Sequence, residues 1–232
     1  MQSETFLAVC GMSLALFSAQ AAEWHVYSDT REGLSGTQQI TNAFACAQDG
    51  DVITIHPGVY NVPTEEMTFR FETDAQGTKH ATGGICLYSK AKNLTVQGSP
   101  EDERTEIVLS GRGASESGRE HQVMFLEGSG CTVRHLTFRG GIANVTYDIY
   151  RNGSLLNADR WPFRRGGGLR ASTSAVVEDC VFDDCYAGQG ACVYGAREIR
   201  NCVFTGSSAV ANNAGCAVCS VPTVADSWFE GN

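Results

Sequence analysis

The chain has 232 residues and a formal charge of −9, with 17 Lys and Arg against 26 Asp and Glu. Without any basic run, that balance argues against a nucleic-acid-binding surface and against broad affinity for anionic polymers; only a local basic patch could hold one. Gly is abundant at 26 and Pro scarce at 5, which suits many tight turns between uninterrupted strands, and the size allows one sizeable core.

Residues 1–21 read as a secretory leader. Phe6 to Phe17 is an apolar run too short to span a bilayer, and Ala19-Gln20-Ala21 fits a small-x-small cleavage pattern. Glu4 and the lack of Lys or Arg ahead of the run depart from that pattern, and a buried N-terminal helix is the alternative. Export is the expectation, giving a secreted or cell-surface protein. Residues 22–50 then carry a strand and a capping helix. Ser35-Gly36-Thr37-Gln38 is a capping box, Ile40, Ala43, Phe44 and Ala47 follow at amphipathic spacing, and Gly50 stands where a stop belongs. A helix near 36–48 would cover the open end of a coiled core.

From residue 51 to 232 the chain reads as a wound stack of strands. Asp51 to Tyr60 forms a strand and tight turn, and Asn93 to Val96 and Ile107 to Leu109 look like irregular early coils. Three fifteen-residue segments, Gly168 to Phe182, Gly190 to Phe204 and Gly215 to Phe229, overlay without a gap, and Met124 to Phe138 fits the same frame. Matching positions include Val177/Ile199/Val224, Asp179/Asn201/Asp226 and Phe182/Phe204/Phe229. Period-two alternation in a fixed unit with variable joins is the signature of a solenoid. The chain stops at Asn232 without a polar cap, so more coils of a longer parent, or a paired open end, are expected.

The join between Phe138 and Gly168 swells to 29 residues, against seven and ten in the later joins. Tyr147, Tyr150, Arg151, Arg160, Trp161, Arg164 and Arg165 lie within nineteen of them. Aromatic faces pack on sugar rings, and Arg forks match carboxylates or sulfates, so Tyr150, Arg151, Arg160, Trp161, Arg164 and Arg165 are candidate substrate-binding residues. The bland alternative is a loop folded over its own coil, with Trp161 and Phe163 as its private core. Ten cysteines would become nine on loss of Cys10. Cys180 and Cys202 share one inward position and are expected to act as small apolar residues. A zinc site of Cys185, Cys192, Cys216 and Cys219 is the rival for the others, although their spacing is poor for it.

Gly50-Asp51-Val52-Ile53-Thr54-Ile55-His56-Pro57-Gly58-Val59-Tyr60, with Asn93 to Gly98 and Thr105 to Leu109, resembles the opening of the pectin-lyase-like superfamily, and the later repeats resemble its generic coils. The resemblance covers Trp24 to Asn232 and implies an all-β, single-stranded, right-handed parallel β-helix. It says little of chemistry, because that superfamily holds lyases, hydrolases, esterases, adhesins and inactive modules. For a lyase it implies an arginine base on a coil face, for which Arg139 and Arg170 are candidates, and a calcium ion, which Asp183 and Asp184 could hold. Solvated turn residues are the ordinary reading of all four. The methylesterase pattern Gly-x-Tyr-x-Glu begins at Gly58 but meets Val62 in place of its Glu, and that branch's later signatures are absent. Phe229-Glu230-Gly231-Asn232 fits an autotransporter-type Phe-x-x-Asn repeat, whereas Phe182 to Cys185 and Phe204 to Ser207 do not.

Two functional expectations stay open. The first is a secreted or cell-surface module associated with carbohydrate, binding a polysaccharide and forming part of a polysaccharide lyase or glycoside hydrolase; no catalytic motif is matched residue by residue. The second is a non-catalytic adhesin or autotransporter-like passenger scaffold with a host or cell-surface ligand. No metal ligand set and no cofactor is assigned, calcium apart.

Overall fold

The structure is a computed structural model that describes residues 21–61, 66–74, 77–111, 122–143, 149–151, 154–156, 165–209 and 217–232; for 66–74, 77–86, 149–151 and 154–156 it describes the backbone alone. The expected leader lies outside these residues.

Short strands wind through three long parallel stacks and a short fourth, Ile142–Ala143, Tyr186–Ala187 and Ser208–Ala209. The first sheet orders Glu23–Val26, Val52–Ile55, Thr95–Gly98, Thr132–Arg134, Val176–Glu178, Glu198–Arg200 and Thr223–Ala225. The second orders Gly58–Asn61, Ile107–Ser110, Thr137–Arg139, Val181–Asp183, Val203–Thr205 and Trp228–Glu230. The third contains Gly77–Ser89, Gln122–Leu126, Leu169–Ala171, Val193–Tyr194 and Val218–Cys219 in parallel. Each coil visits the third, first and second sheets in turn before climbing one rung. Parallel strands joined by crossovers in one sheet take the right hand, so the architecture is the expected right-handed parallel β-helix.

The reason for the repeat is visible at the corner between the first and second sheets. His135, Asp179, Asn201 and Asp226 all adopt the left-handed conformation there, with φ of 59°, 53°, 52° and 48°. Asn and Asp tolerate that region better than other residues carrying a Cβ, which is why they recur at this position. The sharp corner lets Val177 and Phe182 on adjoining strands both point inward. Val133, Val177 and Ile199 stack in one fully buried column, and Leu136, Cys180 and Cys202 in another. The phenyl rings of Phe138, Phe182, Phe204 and Phe229 form a third, with successive centroids 4.8, 5.2 and 4.6 Å apart. Only on the last rung does the column open to solvent, where Phe229 is 47% exposed.

The helix spans Gly36–Cys46 and is capped as its sequence implies: the Gln38 N–H donates to Ser35 Oγ at 3.4 Å and the Ser35 N–H to Gln38 Oε1 at 2.9 Å. Its buried Ile40, Ala43 and Phe44 join the core of the first coils.

Two features depart from the sequence reading. Leu169 pairs with Val193 and Met124 with Leu169, whereas the gap-free overlay placed Gly168 opposite Gly190 and Met124. The overlay holds for the first and second sheets but slips at the third, because the turn leaving the third sheet differs in length between coils. The second departure is an antiparallel hairpin, Glu66–Asp74 with Gly77–Ser89, which lengthens the third sheet beyond the coil. Its signal was Met67, Phe69 and Phe71 alternating with polar residues ahead of Asp74 and Gly77.

Candidate functional site

Alternation along the third sheet sends Leu87, Met124, Leu169 and Val193 into the core and Tyr88, Phe125, Arg170 and Tyr194 outward. The register makes Tyr88 the partner of Phe125, Phe125 of Arg170, and Arg170 of Tyr194. Four residues scattered through the sequence therefore form one row across the strands, with rungs about 4.8 Å apart.

Arg165 is brought to the end of this row by the glycines that follow it. A Cβ at Gly167 would lie 2.4 Å from the Gly141 carbonyl oxygen and 2.5 Å from that of Tyr186, so only glycine lets the backbone re-enter the stack here. Gln122 Nε2 donates to the carbonyls of Arg165 and Gly166, both at 2.6 Å, and fixes the exit of the long join. The guanidinium of Arg165 then lies over Tyr194, 4.5 Å from the ring centroid, and that of Arg170 over Phe125 at 4.4 Å. Tyr88 tilts against Phe125 with centroids 5.4 Å apart and hydrogen-bonds Glu127, and Lys90 lies 5.8 Å above the Tyr88 ring.

Burial dominates the electrostatics of the row. It lowers the Arg170 pKa to about 10, helped by the repulsion of Arg165 and opposed by Tyr194, Glu127 and Tyr88. Burial lowers Arg165 as well, against Tyr194 and Cys219. Burial first, and then the Glu127 hydrogen bond, raises the Tyr88 phenol. Both guanidiniums stay charged at neutral pH, close enough to repel one another. An anion set between them would relieve that repulsion, and the half-buried Tyr88 and Tyr194 adjoin it, while Phe125 lies covered beneath Arg170.

Of the residues singled out from sequence, Arg165 and Arg170 stand in this row. The backbone of Tyr150 pairs with His80 on the Gly77–Ser89 strand. His80 is eight residues from Tyr88, roughly 25 Å of extended chain, so Tyr150 and its neighbour Arg151 lie on the same sheet about that far along it from Tyr88. Arg160, Trp161 and Arg164 lie outside the described residues. Arg139 and Arg170 fall on different sheets; Arg139 pairs with Asp183 at 3.1 Å, and Asp183 also accepts from Thr205. The proposed zinc ligands do not all meet: Cys185 and Cys192 are buried together beside Ser207, Cys219 is the outward register partner of Tyr194, and Cys216 lies outside the described residues. Strand alternation is the reason, since Val218 faces inward and its neighbour outward. Among the described residues no three His, Cys, Asp or Glu side chains converge on a metal position.

A concavity of about 390 Å³ lies at the corner between the first and second sheets, lined by Gln97, Arg134, His135, Glu178, Asp179 and Arg200. His135 Nδ1 meets Asp179 Oδ2 at 2.6 Å and its Nε2 meets the Asp102 carbonyl at 2.6 Å. Burial would depress this imidazole, but the Asp102 carbonyl and the Asp179 carboxylate prevail over burial and Arg104, so its pKa is raised. Arg134 and Arg200 both pair with Glu178, and Arg104 pairs with Asp179. Among the described residues, Arg134 and Arg200 face a carboxylate of their own wall, and His135 supplies the ring of the hollow.

Fold and register define a right-handed parallel β-helix, the architecture that the resemblance to the pectin-lyase-like superfamily implies. No family model matches the chain, and no curated protein does. Among solved structures it is similar to a pectin methylesterase from Erwinia chrysanthemi, with 16% identity and a TM-score of 0.44 over 82% of this chain and 51% of that one. The chain spans about half the length of that protein.

Proposed function

We propose that the protein is an exported parallel β-helix module that binds an acidic polysaccharide along the outer row of its third sheet. The observation that carries this reading is the row itself: Tyr88, Phe125, Arg170 and Tyr194 in register, with Arg165 over the last ring. A linear glycan laid across the strands would meet the half-buried Tyr88 and Tyr194 with its sugar faces and the guanidiniums of Arg165 and Arg170 with its carboxylate or sulfate groups. The leader-like residues 1–21 support export. In a chain of charge −9 the basic patch must act locally, so binding should weaken as salt screens it.

The test is affinity electrophoresis in gels containing polygalacturonate, a sulfated glycan or neutral dextran. Retardation by an acidic polymer, little by dextran, and loss of at least tenfold in affinity for Arg165→Gln with an unchanged circular dichroism spectrum is the expected outcome. Equal affinity of wild type and variant, or binding to proteins and cells but no glycan, would overturn the reading; the latter points to the scaffold alternative.

A further inference from the structure

Seven described cysteines are free, and two pairs of them lie close inside the stack: Cys180 beside Cys202, and Cys185 and Cys192 about the hydroxyl of Ser207. The fold treats the two pairs differently. Cys180 and Cys202 occupy the same place on successive coils, just ahead of the register partners Val181 and Val203. Their side chains stand parallel, one rung or about 4.8 Å apart, whereas a disulfide needs Cβ atoms about 3.5–4.5 Å apart. Cys202 Sγ instead accepts the Cys180 N–H at 3.4 Å.

Cys185 and Cys192 belong to a single coil. They flank the excursion from Tyr186 to Ala191 that carries the chain back to the third sheet, so their side chains enter the core from different walls. Ser207 marks where they meet: its Oγ takes the Cys185 N–H at 3.4 Å and lies 2.8 Å from Cys192 Sγ. The same hydroxyl lies within donor distance of the Thr205 carbonyl at 3.1 Å, so Ser207 is held against both cysteines by its own strand. Gly168 closes the spot from the neighbouring coil. A Cβ there would lie 3.2 Å from Cys185 Sγ and 2.9 Å from the Cys192 carbonyl oxygen.

We propose that Cys185 and Cys192 form a native disulfide, a covalent staple within one coil. In its formation one thiolate attacks the disulfide of an oxidant, an oxidised dithiol protein or glutathione disulfide, and expels a thiolate. The second cysteine's thiolate then displaces the oxidant's remaining sulfur. One S–S bond forms, the two cysteines lose two protons and two electrons, and the oxidant leaves as two thiols. The reaction belongs to the folding chain, because both residues are about 1% exposed or less once folded and burial pushes the Cys192 thiol up, making it a poor nucleophile. This inference concerns the interior and stands or falls independently of the outer row.

The full chain is refolded from the reduced, denatured state in a glutathione redox buffer, denatured again, and alkylated with and without reductant. Trypsin releases residues 171–197 as one peptide holding Cys180, Cys185 and Cys192. Without reductant that peptide should carry a single label, at Cys180, and after reduction three. Labels at Cys185 and Cys192 without reductant, or a cross-link from either to another cysteine, would overturn the assignment. In Cys185→Ser, Cys192 should become labelled; should this variant fail to fold, the wild-type map still decides.

Discussion

Arg170 covers Phe125: the two are register partners on adjacent strands, and the guanidinium carbon lies 4.4 Å from the ring centroid. An outward phenylalanine on the flank of a coil is thereby only 9% exposed, although it is no part of the inner core. Arg170→Ala should uncover that ring and remove a stacked cation. We expect a loss of about 1–2 kcal/mol in urea unfolding, with glycan affinity reduced in parallel. Arg170→Lys should recover charge but less than half of the affinity, because an ammonium lacks the planar fork.

The phenyl column gives a graded series. Phe182→Ala, at a fully buried rung, should cost about 3–5 kcal/mol through lost transfer energy and a cavity. Phe229→Ala, half exposed on the last rung, should cost about 1 kcal/mol. Equal costs in denaturant titrations would contradict the difference in burial between the two rungs.

Two glycines separate crowding from backbone strain. Gly167→Ala drives a methyl into the carbonyl oxygens of Gly141 and Tyr186 and should cost about 3 kcal/mol, shifting Arg165 as well. Gly206→Ala meets nothing within 4 Å, and its φ of +59° alone should cost about 1–2 kcal/mol. Thermal melts of the two variants, with glycan affinity alongside, check both values.

His135 makes stability depend on pH. Its two ring nitrogens face a carbonyl and a carboxylate, so both contacts are hydrogen bonds only in the imidazolium. The folded pKa is raised above the ordinary 6.5, so the contribution is complete below pH 6.5 and disappears as pH climbs through the higher folded value. Arg104 opposes the charge, and Asp179 and the Asp102 carbonyl outweigh it. His135→Asn, which tolerates the left-handed φ of 59°, should be less stable than wild type at pH 5.5, with the gap closing by pH 8.5. Melting curves of both proteins at the two pH values test the sign.

The sequence carries the coil stack openly wherever local chemistry repeats. Asp179, Asn201 and Asp226 announce the left-handed corner, Val177 and Ile199 the inward column, and Ser35 with Gln38 the helix start. The outer row was hidden for a definite reason. Tyr88, Phe125, Arg170 and Tyr194 are separated by 37, 45 and 24 residues, because joins of unequal length intervene, and no fixed period relates them. The same unequal turns concealed the slip that pairs Leu169 with Val193. Arg165 was legible as an arginine near aromatics, but its partner Tyr194 lies beyond the long join, on the next coil.

The most direct measurement is a crystal of the protein soaked with an acidic oligosaccharide of four or five units. Density running across Tyr88, Phe125, Arg170 and Tyr194, with a carboxylate or sulfate held between Arg165 and Arg170, is the expected result. An oligosaccharide seated in the His135 hollow instead, or no ordered sugar on the third sheet at saturating concentration, would refute the assignment of that row as the binding surface.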